Sequence, residues 1–166
     1  MVAANVDDAE SLKAAVRGSY GVFGVTDFWS IMDKARETQQ GKNIFEACKA
    51  ENVKHFVFSS LPSADKMSSG RYKHVDHFDS KADVDEYVDA NKGDMITSSF
   101  QPAMFASVSA NAQVQDGVPT LALPFPSEDM AWPVLDPRRD TGKFVMGLFE
   151  GASSANGIKV HGATTW

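Results

Sequence analysis

One cysteine among 166 residues leaves no internal disulfide to be made, because Cys48 has no second thiol in the chain. Cytoplasmic or nuclear residence is the expectation that follows from such cysteine usage. No stretch of about 18 apolar residues is present, so no membrane-spanning helix is expected. The first residues show no basic segment followed by an apolar core, so no secretory signal is expected. Positive charge is also short. Sixteen Lys and Arg against 22 Asp and Glu give a formal net charge of -6. That balance repels a phosphate backbone and argues against direct nucleic-acid binding. The densest basic cluster, Arg71, Lys73 and His74, has Asp76 and Asp79 beside it. His55, His74 and His161 form no metal-ligand spacing with Cys48 or with any carboxylate, so no metal site is expected.

What is present is ordinary globular composition, 43% hydrophobic and 23% charged, arranged as short apolar runs alternating with amphipathic stretches. This is the pattern of a βα-repeating parallel sheet. Met1 to Ala4 reads as the stump of a strand. Asp7 or Asp8 then caps a helix with Leu12, Ala15 and Val16 on one face and Gly18 as its stop. Tyr20 to Thr26 is a nearly continuous apolar run, as expected for a strand covered on both faces. A helix follows over Asp33 to Glu51. Gly41, Ile44, Phe45 and Cys48 share one of its faces, and Gly41 lets the helix approach the sheet closely. Cys48 is then core filler. Val53 to Ser59 is a second buried strand, and Leu61 to Tyr72 a Ser-, Pro- and Gly-rich loop. His77 to Ala90 is a helix whose acids Asp79, Asp83, Asp85, Glu86 and Asp89 read as a solvated face. Met95 to Phe100 is a third strand, ended by Pro102. A helix over Ala103 to Gln113, short strands over Val118 to Leu123 and Trp132 to Leu135, a helix over Asp140 to Phe149 and a strand over Ile158 to His161 complete the reading.

Three segments, taken in order, resemble the NmrA-like branch of the short-chain dehydrogenase/reductase superfamily. They are DDAESLKAAVRGSYGVFGVTDFW (Asp7 to Trp29), QGKNIFEACKAENVKHFVFSSL (Gln40 to Leu61) and HFDSKADVDEY (His77 to Tyr87). The tail DPRRDTGKFV (Asp136 to Val145) resembles the family's Asp-led helix. The resemblance implies an α/β fold with a Rossmann-like doubly wound parallel sheet and a small C-terminal α+β portion. It also implies a single domain, with residues 1–115 as the sheet core and 116–166 as a substrate or partner portion. The family's opening strand, glycine-rich turn and first helix have no counterpart. Gly18, Gly21 and Gly24 have a G-x-x-G-x-x-G spacing, but the last two fall inside a strand, where no helix N-terminus faces a pyrophosphate. The sheet is therefore expected to be incomplete. Tyr20 to Thr26 is expected at an exposed edge, where a second copy could add.

The same resemblance implies a site for NAD or NADP, weakly held or unheld by this chain alone. In ordinary members of the superfamily a strand-end serine works with a Tyr-x-x-x-Lys pair on the next helix. Here Ser59 or Ser60 takes the serine position and Lys81 the lysine position, where it would hold the nicotinamide ribose. His77 stands at the tyrosine position. Imidazole moves protons near neutral pH but lacks the acidity and reach of a phenol. Thr26 and Phe28 lie at a strand end beside the dinucleotide. Asn5 and Val6 match positions near the adenine, and Met104 and Phe105 a segment near the nicotinamide. Three readings stay open. One is a nucleotide-sensing regulator acting through a transcription factor or an enzyme partner. Another is an NAD(P)H-dependent reductase of a small carbonyl or quinone-like substrate. The last is a non-functional truncated product.

Overall fold

A computed structural model describes residues 1–121 and 129–165. Its centre is a four-stranded sheet in the order β1-β2-β3-β8, formed by Gly21–Gly24, His55–Ser59, Ile96–Pro102 and Lys159–Gly162. Every pairing in it is parallel, with Gly21 opposite His55, His55 opposite Ile96 and Ser99 opposite Lys159. Parallel neighbours need a crossover of a dozen or more residues, and helices supply it. Between β1 and β2 run the short α2 (Phe28–Ile31) and α3 (Lys34–Ala50), and between β2 and β3 run α4 (Ala64–Met67) and α5 (Asp76–Asn91). Ahead of β1 lies α1 (Ala9–Val16), and ahead of β8 lies α6 (Pro137–Gly151).

The sheet is wound on both faces. Strand side chains alternate, so Phe56 and Phe58 of β2 join Leu12, Phe45, Cys48 and Val84 under α1, α3 and α5. Val57 points the other way, to Phe100, Leu135, Val145 and Leu148 under α6. Cys48 is fully buried and its thiol is pushed up to about 12 by burial, so it packs as a small apolar residue. Each of α1, α3 and α6 begins with an aspartate cap. Asp8 accepts from the amides of Glu10 and Ser11, Asp33 from that of Arg36, and Asp136 from those of Arg138 and Arg139. Each cap satisfies N–H groups that have no partner inside the helix.

Several local expectations are corrected. Residues 1–5 form no strand, since no neighbouring strand offers them backbone partners. Gly41 serves a helix–helix contact: a Cβ there would lie 2.5 Å from Val84 Cγ2 on α5. The acids of α5 are not one solvated face. Asp79 and Asp85 are buried, Asp79 accepting from Ser63 Oγ at 2.9 Å and Asp85 from Ser99 Oγ at 2.7 Å. The loop after β2 contains α4. The segment expected as a helix over 103–113 instead forms β4 (Met104–Phe105) and a 3-10 turn over Ala106–Asn111. The cause is distant in sequence: β4 pairs in parallel with β7 (Val134–Leu135), and the Met104 amide donates to Pro133 O at 3.2 Å. Gln113–Gln115 and Val118–Thr120 make an antiparallel hairpin, β5 and β6. Asp116 and Gly117 turn it with φ of 51° and 78°, as a two-residue Asp-Gly connection does. The expected strand over Val118 to Leu123 runs beyond the described residues at Ala122 and Leu123. The chain portion 116–166 supplies α6 and β8 to the main sheet. Among the described residues β1 pairs with β2 alone.

Candidate functional site at the carboxyl ends of the strands

Ligands of parallel α/β sheets sit in the crevice at the strands' carboxyl ends, and two adjoining clefts of this chain lie there. One, of about 570 Å3, is walled by Trp29, His77, Phe78, Pro102, Met104 and Phe105. A second, of about 330 Å3, shares Phe78, Pro102 and Met104 with it and continues past Gln101 and His161 to Trp132. The walls are mostly apolar, with the imidazoles of His77 and His161, the Gln101 amide and the Ser107 hydroxyl among the polar groups.

The His77 ring is wedged among aromatics, its centroid 4.9 Å from Trp29, 4.9 Å from Phe78 and 5.9 Å from Phe28. Burial lowers its pKa below the ordinary imidazole value, and the nearby Glu37 carboxylate pulls the other way. Behind the cleft wall lies a buried ion pair. Lys81 Nζ donates to Glu37 Oε1 at 2.7 Å, to Thr26 Oγ1 at 2.8 Å and to Thr26 O at 3.0 Å. Glu37 is 0% exposed, and its second oxygen accepts from Ser80 Oγ.

Thr26, Phe28, His77 and Lys81 are thus brought together, and Met104 and Phe105 face them across the cleft. Asn5, Val6, Ser59 and Ser60 do not line it. Asn5 Oδ1 caps its own turn by accepting from the Asp7 amide at 3.0 Å. Val6 O accepts from Asn43 Nδ2 on α3 at 3.0 Å. Ser59 is half-buried at the end of β2. Ser60 is buried and donates to Lys81 O at 3.3 Å, which ties β2 to α5. Sequence reasoning missed Glu37. Its signal was position: four residues before Gly41, it lies on the stripe that buries Gly41, Ile44, Phe45 and Cys48. Gln101 and His161 were missed as cleft-lining groups. Among the described residues no helix is long and apolar enough to cross a membrane.

A parallel sheet wound on both faces, with a cleft at its carboxyl edge, defines the Rossmann-type class. The chain belongs to the NmrA-like family, whose profile matches residues 1–165. It is 25% identical over 183 residues to the NmrA-like family domain-containing oxidoreductase FrzB of Cladobotryum sp, covering 99% of this chain and 54% of that protein. The NmrA-like family domain-containing oxidoreductase hkm9 of Aspergillus hancockii is 27% identical over 178 residues, covering 95% of this chain and 51% of that protein. The chain therefore spans about half the length of these curated relatives. Among solved structures it matches NmrA, a negative transcriptional regulator, in complex with NAD, with a TM-score of 0.81 at 20% identity over 96% of this chain and 50% of that one. The NADP complex of NmrA gives 0.79 at 20% identity, over 95% and 49%.

Proposed function

We propose that this chain carries the nicotinamide-side part of an NAD or NADP site in a redox-sensing regulator that acts through a protein partner. The observation that carries the reading is His77. At the place where a reductase of this fold would present a phenol stands an imidazole wedged among three aromatic rings, with burial opposing its protonation. A neutral imidazole beside apolar walls can pack against a flat ring and is a weak proton donor. The solved complexes of NmrA with NAD and with NADP support a dinucleotide as the ligand, and that protein's description as a transcriptional regulator supports the regulatory role.

The residues present fit one half of such a ligand. The clefts offer room and aromatic walls for a nicotinamide ring, which when bound donates or accepts hydride. The pyrophosphate finds no matching cradle among the described residues. Gly21 and Gly24 lie inside β1. Of the helices that start at this edge, α2 and α3 are capped by Asp27 and Asp33, α4 is capped by Ser63, and α5 opens with Asp76 and Asp79 in its first turn. Asp27, Asp33 and Ser63 accept from free amides at their helix starts, and the carboxylates of the first turns oppose the field that would otherwise attract phosphate.

Titration calorimetry with nicotinamide mononucleotide and with NADPH tests the half-site. The two are expected to bind this chain with similar, weak affinity, because the second phosphate and the adenine gain no partners. NADPH binding a hundred-fold tighter would overturn the assignment. The oxidoreductase names of the two curated relatives and the continuation of the cleft past Gln101 favour a second reading, reduction of a small apolar carbonyl or quinone-like compound. Under it, substrate-dependent NADPH oxidation would fall about 10²–10⁴-fold in His77→Ala, the usual share of a general acid. Under the regulator reading there is no such oxidation to lose. The edge of β1, which pairs with no further strand among the described residues, supports addition of a second polypeptide.

A further inference from the structure

We propose that Glu37 and Lys81 are positioning residues, a buried clamp that fixes the β1–α2 turn and thereby seats Trp29 against His77 at the cleft; the proposal rests on the reading of that cleft as the nicotinamide-side site.

An ammonium has three N–H donors. Lys81 directs them to Glu37 Oε1 at 2.7 Å, Thr26 Oγ1 at 2.8 Å and Thr26 O at 3.0 Å. None is left for a ribose hydroxyl, so the geometry gives Lys81 a task other than the one the family resemblance implies. Both oxygens of Glu37 are also engaged, by Lys81 and by Ser80. The pair joins three elements far apart in sequence. Glu37 comes from α3, Lys81 from α5, and Thr26 closes the backbone that leaves β1.

That backbone leads directly to the wall of the cleft. Asp27 caps α2, accepting from the Trp29 amide at 3.1 Å. Phe28 is buried, and both Phe28 and Trp29 touch the ring of His77. His77 lies one turn before Lys81 on α5, on the same side. The β1–α2 segment is thus held to α5 at two points, by the ammonium at Thr26 and by ring contacts at Phe28 and Trp29. Only the first fixes a direction. Ring packing tolerates sliding, whereas three directed, charge-assisted bonds do not. A buried ion pair is a weak source of net stability, but removing one partner strands the other charge.

The test compares Lys81→Met, Glu37→Gln and the double variant with the parent. Nuclear Overhauser contacts between the Trp29 indole and the His77 ring read the geometry, and affinity for nicotinamide mononucleotide reads the consequence. The double variant removes both charges together, so it is expected to fold. It should lose the Trp29–His77 contacts and bind the mononucleotide at least ten-fold more weakly. The Phe45–Tyr87 ring contact between α3 and α5, with centroids 6.1 Å apart in the parent, should persist. Intact Trp29–His77 contacts in the folded double variant would overturn the proposal, even with weaker binding, because that pattern means Lys81 touches the ligand itself. Should the charge variants fail to fold, Thr26→Val removes a single hydroxyl acceptor and leaves the ion pair. It is expected to shift the His77 ring resonances, and unchanged resonances would overturn the clamp. A parent that shows the Trp29–His77 contacts but binds no mononucleotide would sink the nicotinamide-side reading and leave the clamp standing.

Discussion

At the carboxyl end of the sheet helices begin, and aspartates sit on their first turns; at the amino end α3 and α5 finish, and lysines gather. Lys49, Lys54 and Lys92 line a hollow of about 370 Å3 at that amino end. By charge alone a phosphate-bearing ligand belongs with the lysines. Yet both sets of charges complement helix dipoles, acids at N-termini and bases at C-termini. Two of the lysines are also engaged locally: Lys92 Nζ donates to Asn156 Oδ1 at 3.0 Å, and Lys49 lies 5.6 Å from the Phe45 ring centroid. The carboxyl end has what the amino end lacks, an apolar cleft with aromatic walls and a buried ionic support. Surface charge marks where the helices end, and the cleft marks where a ring-bearing ligand fits.

The largest effect should come from the packing that sets α3 against α5 and so brings Glu37 to Lys81. Gly41→Ala places a Cβ 2.5 Å from Val84 Cγ2 and is expected to cost about 1–3 kcal/mol, the usual range for overpacking a tight contact. Gly147→Ala on α6 meets nothing within 4 Å and should instead gain about 0.4–1 kcal/mol by restricting the unfolded chain. Urea denaturation of the two variants measures both. Equal effects would mean that the helix contact is not tight.

A smaller effect separates the two ends by pH. His55, at the amino end, is fully buried, with Nε2 2.9 Å from Ser98 Oγ and Nδ1 without a partner. Burial lowers the pKa of both His55 and His77. A base whose folded pKa is depressed binds fewer protons in the native state than in the unfolded one. Its contribution is therefore kept above the unfolded value of about 6.5 and lost as pH falls below it. Stability should decline between about pH 7 and pH 5. His55→Gln should flatten that decline more than His77→Gln does, because His77 is only half-buried and Glu37 favours its charged form. Thermal unfolding of both variants across that range gives the comparison. The reverse order would mean that the carboxyl end is the more tightly closed of the two.

How much of this could be read beforehand depends on the range of the interactions. The parallel strands of the sheet, α3, α5 and the Asp-led α6 follow from apolar periodicity and local caps, and the sequence shows both. His77 and Lys81 share a side of α5 because they are four residues apart. Glu37 was hidden because KARETQQG resembles a solvated first turn. What buries it is Lys81, 44 positions along the chain. The expected helix over 103–113 failed for the same reason. The backbone of its first residues bonds elsewhere, Ala103 to Gly162 and Met104–Phe105 to residues 133–135, and no local signal announces partners that distant. The Asp116-Gly117 turn, in contrast, was a local signal for a hairpin that went unused.

The central claim is that the aromatic cleft at the strands' carboxyl ends, and not the lysine-lined hollow at their amino ends, receives the nicotinamide end of the dinucleotide. Mapping NADPH-induced chemical-shift changes in the isotope-labelled chain tests it most directly. The account predicts changes concentrated at Trp29, His77, Met104 and Phe105, with Lys49, Lys54 and Lys92 unmoved. Changes concentrated at the three lysines, with the His77 ring unmoved at saturation, would contradict it.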